Sequence, residues 1–519
     1  MRKKKRTLRL FRKLHKWPAI VIAFFAILFA FSGIVMNHRQ FFSPADVSRN
    51  LLPGNYRYKN WNLSAVRGSE KISNDSLLIY GNIGIWKSAQ DLKEFSDFNN
   101  GFTKGIDNRK IYSVKKFGDE LFAGSHMGLY KRQVHCDEWK KVDLGLKKER
   151  IADLVLKEDT LMVLSRHYLL KSADGKNFEK IQLPKPTDYE RKTGLFNTLW
   201  ELHSGELFGL TGKLVVDLLG IVTIFLSVTG LLHFFFPKWI KQRKRKKKPM
   251  RPLTKATKTN LRWHNVVGYI FVVFLLINTI AGMHLRPPLL IAIAPKEVGI
   301  IPGTHLDSPN PWFDKLRRVH WDENMQRYIF STSEGFYSAK ESLKEKLQPF
   351  RYQPPVSVMG LNVFKPVGKL KYLIGSFNGM FLWDLQTGDV YDFFTEKPYA
   401  VPQGMQNPIG FNMTAGLVEA GENAWWFDYN RGAIPLSGKP FPEMPEEIRI
   451  ASPMSLWNVS LEIHTGRIFE HLLGPFYILY VPLAGICLLI VLISGIIVWW
   501  KVYWKKKSGN NFTSDATKL

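Results

Sequence analysis

Hydrophobic positions along the chain fall into two regimes. Four stretches are almost continuously apolar: Trp17–Met36, Leu214–Phe236, Val266–Met283 and Pro475–Trp500. Each supplies the roughly 20 residues that a helix needs to cross about 30 Å of hydrocarbon. Between them the pattern shortens to strand, Gly/Asn turn, strand. The first long connection contains Leu77–Gly81 with Gly84–Ser88, Glu120–Gly124 with Gly128–Lys131, and Leu161–Leu164 with Tyr168–Ser172. The second contains Gln326–Phe330 with Gly335–Ser338, Lys371–Gly375 with Gly379–Trp383, and a weaker copy, Ala424–Asp428 with Gly432–Ile434. Recurring short hairpins of this kind are the pattern of propeller blades. Three copies per connection suggest that the two connections close one propeller of about six blades.

The halves of the chain repeat each other. His15 and Gly33 lie eighteen positions apart, as do His264 and Gly282. Leu202-His203-Ser204-Gly205 and Ile463-His464-Thr465-Gly466 precede the second helix of each half, which ends near Thr229-Gly230 or Ser494-Gly495. The expected fold is therefore a four-helix transmembrane bundle built from two parallel repeats, with two β-rich extracytoplasmic insertions. Its segments are a basic N-terminus and first helix (1–38), an insertion (39–205), a second helix (206–236), a polybasic loop (237–262), a third helix (263–284), a second insertion (285–465), a fourth helix (466–500) and a tail (501–519). Gly33, Gly230, Gly282 and Gly495 are expected to let helices approach closely.

Charge fixes the orientation. The chain has 519 residues and a net charge of +29. Twenty-five of those charges come from acid-free basic blocks at 1–16, 237–262 and 501–507, each abutting an apolar run. Such blocks place both termini and the central loop in the cytoplasm and the insertions outside it, rather than marking a nucleic-acid surface. The first apolar run ends in Met36-Asn37-His38-Arg39 without a small-x-small cleavage pattern, so a retained helix is expected. Two cysteines, Cys136 and Cys487, are too few for a disulfide framework or a cysteine-ligated cluster. Asp217 and Lys213 are expected to form an i,i+4 ion pair, and Asn278 to hydrogen-bond between helices.

Candidate chemistry lies in the histidines. Eight of thirteen sit in or beside the apolar helices: His15, His38, His203, His233, His264, His284, His464 and His471. Histidine is rare at membrane depth and faces a protein interior or cofactor when it occurs. Facing imidazoles are what a six-coordinate b-type haem requires. His15 and His264 are the expected ligands towards the cytoplasm, and His203 and His464 those towards the outside, with His471 and His38 as alternates. His15 and His38 are about 35 Å apart along one helix, enough for two haems at different depths. His126, His135, His167, His305 and His320 are expected to be surface or packing residues. No Walker loop, GxGxxG, HExxH or GxSxG element is present.

Arg12-Lys13-Leu14-His15-Lys16-Trp17, Arg262-Trp263-His264, the two Leu/Ile-His elements and the small-Gly pairs resemble the PepSY-associated transmembrane helix family of bacterial inner-membrane proteins. The resemblance implies a haem-binding ferric-siderophore reductase. It would use haem b, two per chain, take electrons from a quinol or a redox partner, and deliver them to a periplasmic acceptor such as a ferric siderophore. Membrane lipid would be a partner and nucleic acid would not. The blade-like insertions are not a PepSY module, so substrate identity does not carry over. The competing accounts are a membrane-anchored β-propeller sensor or scaffold and a transporter accessory subunit.

Overall fold

A computed structural model describes residues 2–146, 150–355, 357, 359–400 and 410–504. The chain divides into two compact units, one formed by 1–40, 191–307 and 457–519, the other by 41–190 and 308–456.

The first unit is helical. Its elements are α1 (Arg2–Asn37), α2 (Leu195–Ser204), α3 (Gly209–Arg245), α4 (Arg251–Met283), α5 (Leu456–His464) and α6 (Tyr480–Trp499). Four helical spans in this unit are long and apolar enough to cross a membrane. α1 packs on α3 and α6, and α4 packs on the same two, so the four long helices form a bundle. Leu219, Val222 and Leu275 lie inside it, while Val21, Phe24, Ile221, Val273, Phe274 and Ile493 face outward. Outward apolar side chains are the expected state for a bundle solvated by lipid, because a helix already satisfies its own backbone groups.

Residues 191–205, 285–307 and 457–465 cluster with the long helices rather than with the strands. The reason is that α2 and α5 carry apolar faces of their own, and α2 packs against α4 and α3.

Among the described residues the second unit has six small antiparallel sheets in chain order, besides a two-stranded sheet that pairs Asp46–Val47 with Met454–Ser455. Their innermost strands are Gly68–Lys71, Ile111–Phe117, Ile151–Lys157, Leu316–Asp322, Val363–Gly368 and Thr414–Ala420. Five sheets have four strands and the sixth has three. The central hairpins are those the alternation pattern marked, for example Tyr80 opposite Ile85, Ala123 opposite Tyr130 and Ile374 opposite Phe381. The first sheet packs on the second, the second on the third and the third on the fourth. Ile329 and Phe336 join the fourth to the fifth through Tyr372, Ile374 and Trp383. The fifth packs on the sixth, and the sixth returns to the first.

Buried tryptophans pin these sheets. Trp61, Trp86, Trp139, Trp312 and Trp383 are at most 1% exposed. Their indole N–H groups donate to the carbonyls of Pro442, Ile83, Phe98, Pro184 and Tyr352 respectively. A buried indole needs such an acceptor, since an unpaired donor would cost about 1–3 kcal/mol. These rings are therefore core, not a docking surface.

A polar belt crosses the innermost strands. Asp153 accepts from Arg318 Nη1 at 2.8 Å and from the Val319 N–H at 3.2 Å. Arg318 also donates to the Asn362 carbonyl at 3.0 Å. The Asn362 amide donates to the Thr414 carbonyl at 2.8 Å and its Oδ1 accepts from Arg67 at 2.6 Å. Residues at the entries to the first, fifth and sixth sheets thus meet directly.

Candidate functional site

The bundle brings together two pairs of histidines. The rings of His15 on α1 and His264 on α4 have centroids 6.2 Å apart, inclined at 76°. The rings of His203 on α2 and His464 on α5 have centroids 6.0 Å apart, inclined at 57°. Each pair takes one residue from each half of the chain.

Every one of the four rings is held in the same manner. His15 Nδ1 donates to the Val491 carbonyl of α6 at 2.9 Å. His203 Nδ1 donates to the Asn278 carbonyl of α4 at 3.0 Å. His464 Nδ1 is shared between the Phe29 carbonyl at 3.1 Å and Ser32 Oγ at 3.0 Å, both on α1. For His264 the acceptor is Thr229 Oγ1 on α3 at 2.9 Å, whose own proton goes to the Phe225 carbonyl at 2.7 Å. Donation through Nδ1 fixes the tautomer, so each Nε2 carries a lone pair. The Nε2 atoms of His15, His264 and His464 make no hydrogen bond among the described residues.

The glycines serve these rings. A Cβ at Gly282 would lie 2.5 Å from His203 Cε1, and one at Gly495 would lie 3.1 Å from His15 Cε1. At Gly33 and Gly230 the corresponding distances to His464 and His264 are 3.5 and 3.6 Å. At Gly282 and Gly495 the missing Cβ makes room for an imidazole edge, whereas at Gly33 and Gly230 a Cβ would only touch the ring at an ordinary distance. A small residue precedes each glycine: Ser32, Thr229, Ala281 and Ser494. Thus α1 carries His15 of one pair and the cradle for His464 of the other, and α4 carries His264 and the cradle for His203.

The two sites lie at different depths. Eighteen residues of α1, and eighteen of α4, separate the histidine of one site from the glycine of the other. At 1.5 Å per residue this is about 27 Å, close to the hydrocarbon thickness. A mainly apolar groove of about 470 Å³, lined by Ile221, Val222, Phe225, Thr229, Asn260, Trp263, Val267 and Phe271, opens beside the Thr229–His264 contact.

The other candidate histidines stand apart. His38 Nε2 meets Asp217 Oδ2 at 2.6 Å, and Asn37 donates to Asp217 Oδ1 at 3.1 Å. This replaces the expected Lys213–Asp217 pair: Lys213 Nζ instead lies 3.5 Å from Glu206, and Asp217, 8% exposed, takes its partners from the last residue of α1 and the residue after it. His471 is exposed and bonds only its own turn, at the Ile468 carbonyl. His284 does the same at Ile280, and His233 is exposed. Asn278 meets α2 through its main-chain carbonyl.

Two acids escaped notice in the sequence. Glu201 and Glu462, each two residues before an outer histidine, are 6% and 8% exposed. Glu201 accepts from His305 Nδ1 at 3.1 Å, and Glu462 pairs with Arg467. Their identical offset from the two repeat histidines was the available signal.

These features define a polytopic membrane protein that buries two cross-repeat imidazole pairs in its helical unit. The chain belongs to the PepSY-associated TM region family, which matches residues 1–236 and 238–501. No curated relative matches it significantly. Among solved structures, it is similar to the extracellular domain of BT4673 from B. thetaiotaomicron at 11% identity and a TM-score of 0.33. That alignment covers 71% of this chain and 32% of the other, so the chain spans about a third of that protein's length. The WD40 β-propeller domain of Doa1 aligns at 8% identity and a TM-score of 0.31, over 76% of this chain and all of the other. Likenesses this weak establish no shared function.

Proposed function

We propose that this protein is a di-haem electron carrier of the bacterial inner membrane that reduces an extracytoplasmic ferric chelate, such as a ferric siderophore. In this reading both termini face the cytoplasm and the six sheets form one six-bladed propeller in the periplasm. The return of the sheet contacts to the first sheet, and the belt joining Arg67 to Asn362, support the propeller.

The observation that carries the redox reading is the spacing of the imidazole pairs. Two imidazoles that held one haem iron between them would have ring centres about 6 Å apart. The observed separations are 6.2 and 6.0 Å. The donor set fits a b-type haem: two neutral imidazoles, each oriented by a hydrogen bond through its other nitrogen. Gly282 and Gly495 fit as well, since a side chain there would press on the edge of His203 or His15. Haem bound at both sites would supply one-electron transfer between the two faces of the membrane. His15 and His264 would hold the cytoplasmic-side group, and His203 and His464 the outer one. The Val491, Asn278 and Phe29 carbonyls and the Thr229 and Ser32 hydroxyls keep the rings from turning. The groove beside Thr229 gives a quinol a lipid-side approach to the cytoplasmic pair. Reduction frees iron because hard oxygen donors hold Fe(II) less tightly than Fe(III).

The test is a visible spectrum of the full chain purified from haem-replete membranes, with haem per protein. About two haems with sharp reduced α bands are expected. His203→Ala or His464→Ala should remove one component, and His15→Ala or His264→Ala the other. Colourless, monodisperse protein would leave the sheet-bearing unit as an anchored binding module.

A further inference from the structure

The sheet-bearing unit contains a concentration of arginine at one end of its innermost strands. Arg67, Arg150, Arg317 and Arg318 lie at or next to the starts of the first, third and fourth of these strands, and Arg166 lies beside them. Three have carboxylate or main-chain oxygen partners. Arg318 is paired with Asp153 at 2.8 Å. Arg166 reaches Asp314 through Nε at 2.7 Å and Nη2 at 3.0 Å. Arg317 donates to the Asp314 and Leu316 carbonyls at 2.7 and 3.1 Å.

Arg67 and Arg150 are different. Each guanidinium lies 4.9 Å from the ring centre of Tyr112, so two cations share one aromatic ring. Arg67 has a single side-chain acceptor, Asn362 Oδ1, and its Nε is sealed from solvent without an acceptor. Neither has a carboxylate partner among the described residues. Burial, and then the neighbouring Arg150 and Arg318, lower the Arg67 pKa, although Tyr112 opposes this. Arg317 is lowered to about 9, mainly by burial and then by Arg166. The cluster therefore carries excess positive charge in a partly desolvated place, where a charge without a counter-ion is costly.

We propose that Arg67 and Arg150, flanking Tyr112, form a binding site for a small oxyanion with carboxylate or phosphate groups. Guanidinium forks match both groups bidentately, and the Tyr112 hydroxyl, 3.1 Å from His126 Nδ1, adds a polar contact at the rim. The site does not depend on haem, since every residue in it belongs to the sheet-bearing unit.

The test is calorimetric titration and thermal melting of the full detergent-solubilised chain with citrate, ferric citrate, inorganic phosphate and a neutral hydroxamate. Citrate or phosphate should bind and raise Tm, and the hydroxamate should do neither. Preference for citrate assigns a polycarboxylate, preference for phosphate assigns a phosphate ester or free phosphate, and tighter ferric citrate assigns a metal chelate. Arg150→Gln should weaken binding about tenfold or more. Arg67→Lys keeps the charge but loses the fork, and should weaken it less than Arg150→Gln. Absence of binding by both citrate and phosphate at millimolar concentration overturns the proposal. So does an Arg150→Gln protein that melts normally and binds as tightly as wild type.

Discussion

Gly282→Ala separates a cradle for a ligand from an ordinary helix contact. The new Cβ would stand 2.5 Å from His203 Cε1 and 2.8 Å from its Nδ1. Non-bonded carbons rest at about 3.5–4.0 Å, so the imidazole must retreat by about 1 Å. That is twice the roughly 0.5 Å tolerance of a preorganised site, and it strains the 3.0 Å bond from Nδ1 to Asn278. Overpacking of this size costs about 1–3 kcal/mol, too little to unfold the bundle. Gly230→Ala is the control, because its Cβ would meet His264 Cε1 at 3.6 Å, an ordinary contact. The assay is haem per protein by pyridine haemochrome, with reduced-minus-oxidised spectra and a melting curve. Gly282→Ala should lose or broaden the outer component and keep the inner one, while Gly230→Ala keeps both. Gly495→Ala, at 3.1 Å from His15, should weaken the inner component. Full haem content with unchanged bands in Gly282→Ala, or equal loss in Gly230→Ala, would refute the cradle argument.

Two further outcomes concern the sheet-bearing unit. Asp153→Asn strips the buried Arg318 of its counter-charge and should cost about 3–5 kcal/mol, seen as a lower Tm by tryptophan fluorescence; replacing both residues by Leu should recover much of it. His320 packs against Phe364 and Tyr372, and burial lowers its pKa below 6.5 despite Asp322, Asp153 and Glu323. The unfolded chain then binds the proton more readily, so stability is full above about pH 6.5 and falls as pH drops towards the folded-state value. His320→Phe should flatten that slope in melting curves taken from pH 7.5 to 5; an unchanged slope would remove His320 as its source.

Periodicity and charge were enough to mark the spans, the hairpins and the repeat. An apolar run of 20 residues and a strand–turn–strand repeat are local signals, set by the length and alternation that burial demands. The equal spacing of His15 to Gly33 and His264 to Gly282 was likewise visible, as was the doubling of His203 and His464. Its meaning was not visible. Only packing shows that a glycine serves the histidine of the opposite pair, because the ring and its cradle lie on different helices. The same limit hid the Asp217 partners: the end of α1 and the turn after it supply Asn37 and His38 from about 180 residues away, beyond any i,i+4 rule. It also hid Glu201 and Glu462, whose burial depends on what surrounds them, and the arginine cluster, whose members come from positions 67 to 318. The chain's own pattern decides which segments become helix or strand, since that depends on neighbours three or four residues away. Which side chains share a site depends on how those segments pack, and distant residues are brought within bonding range only there.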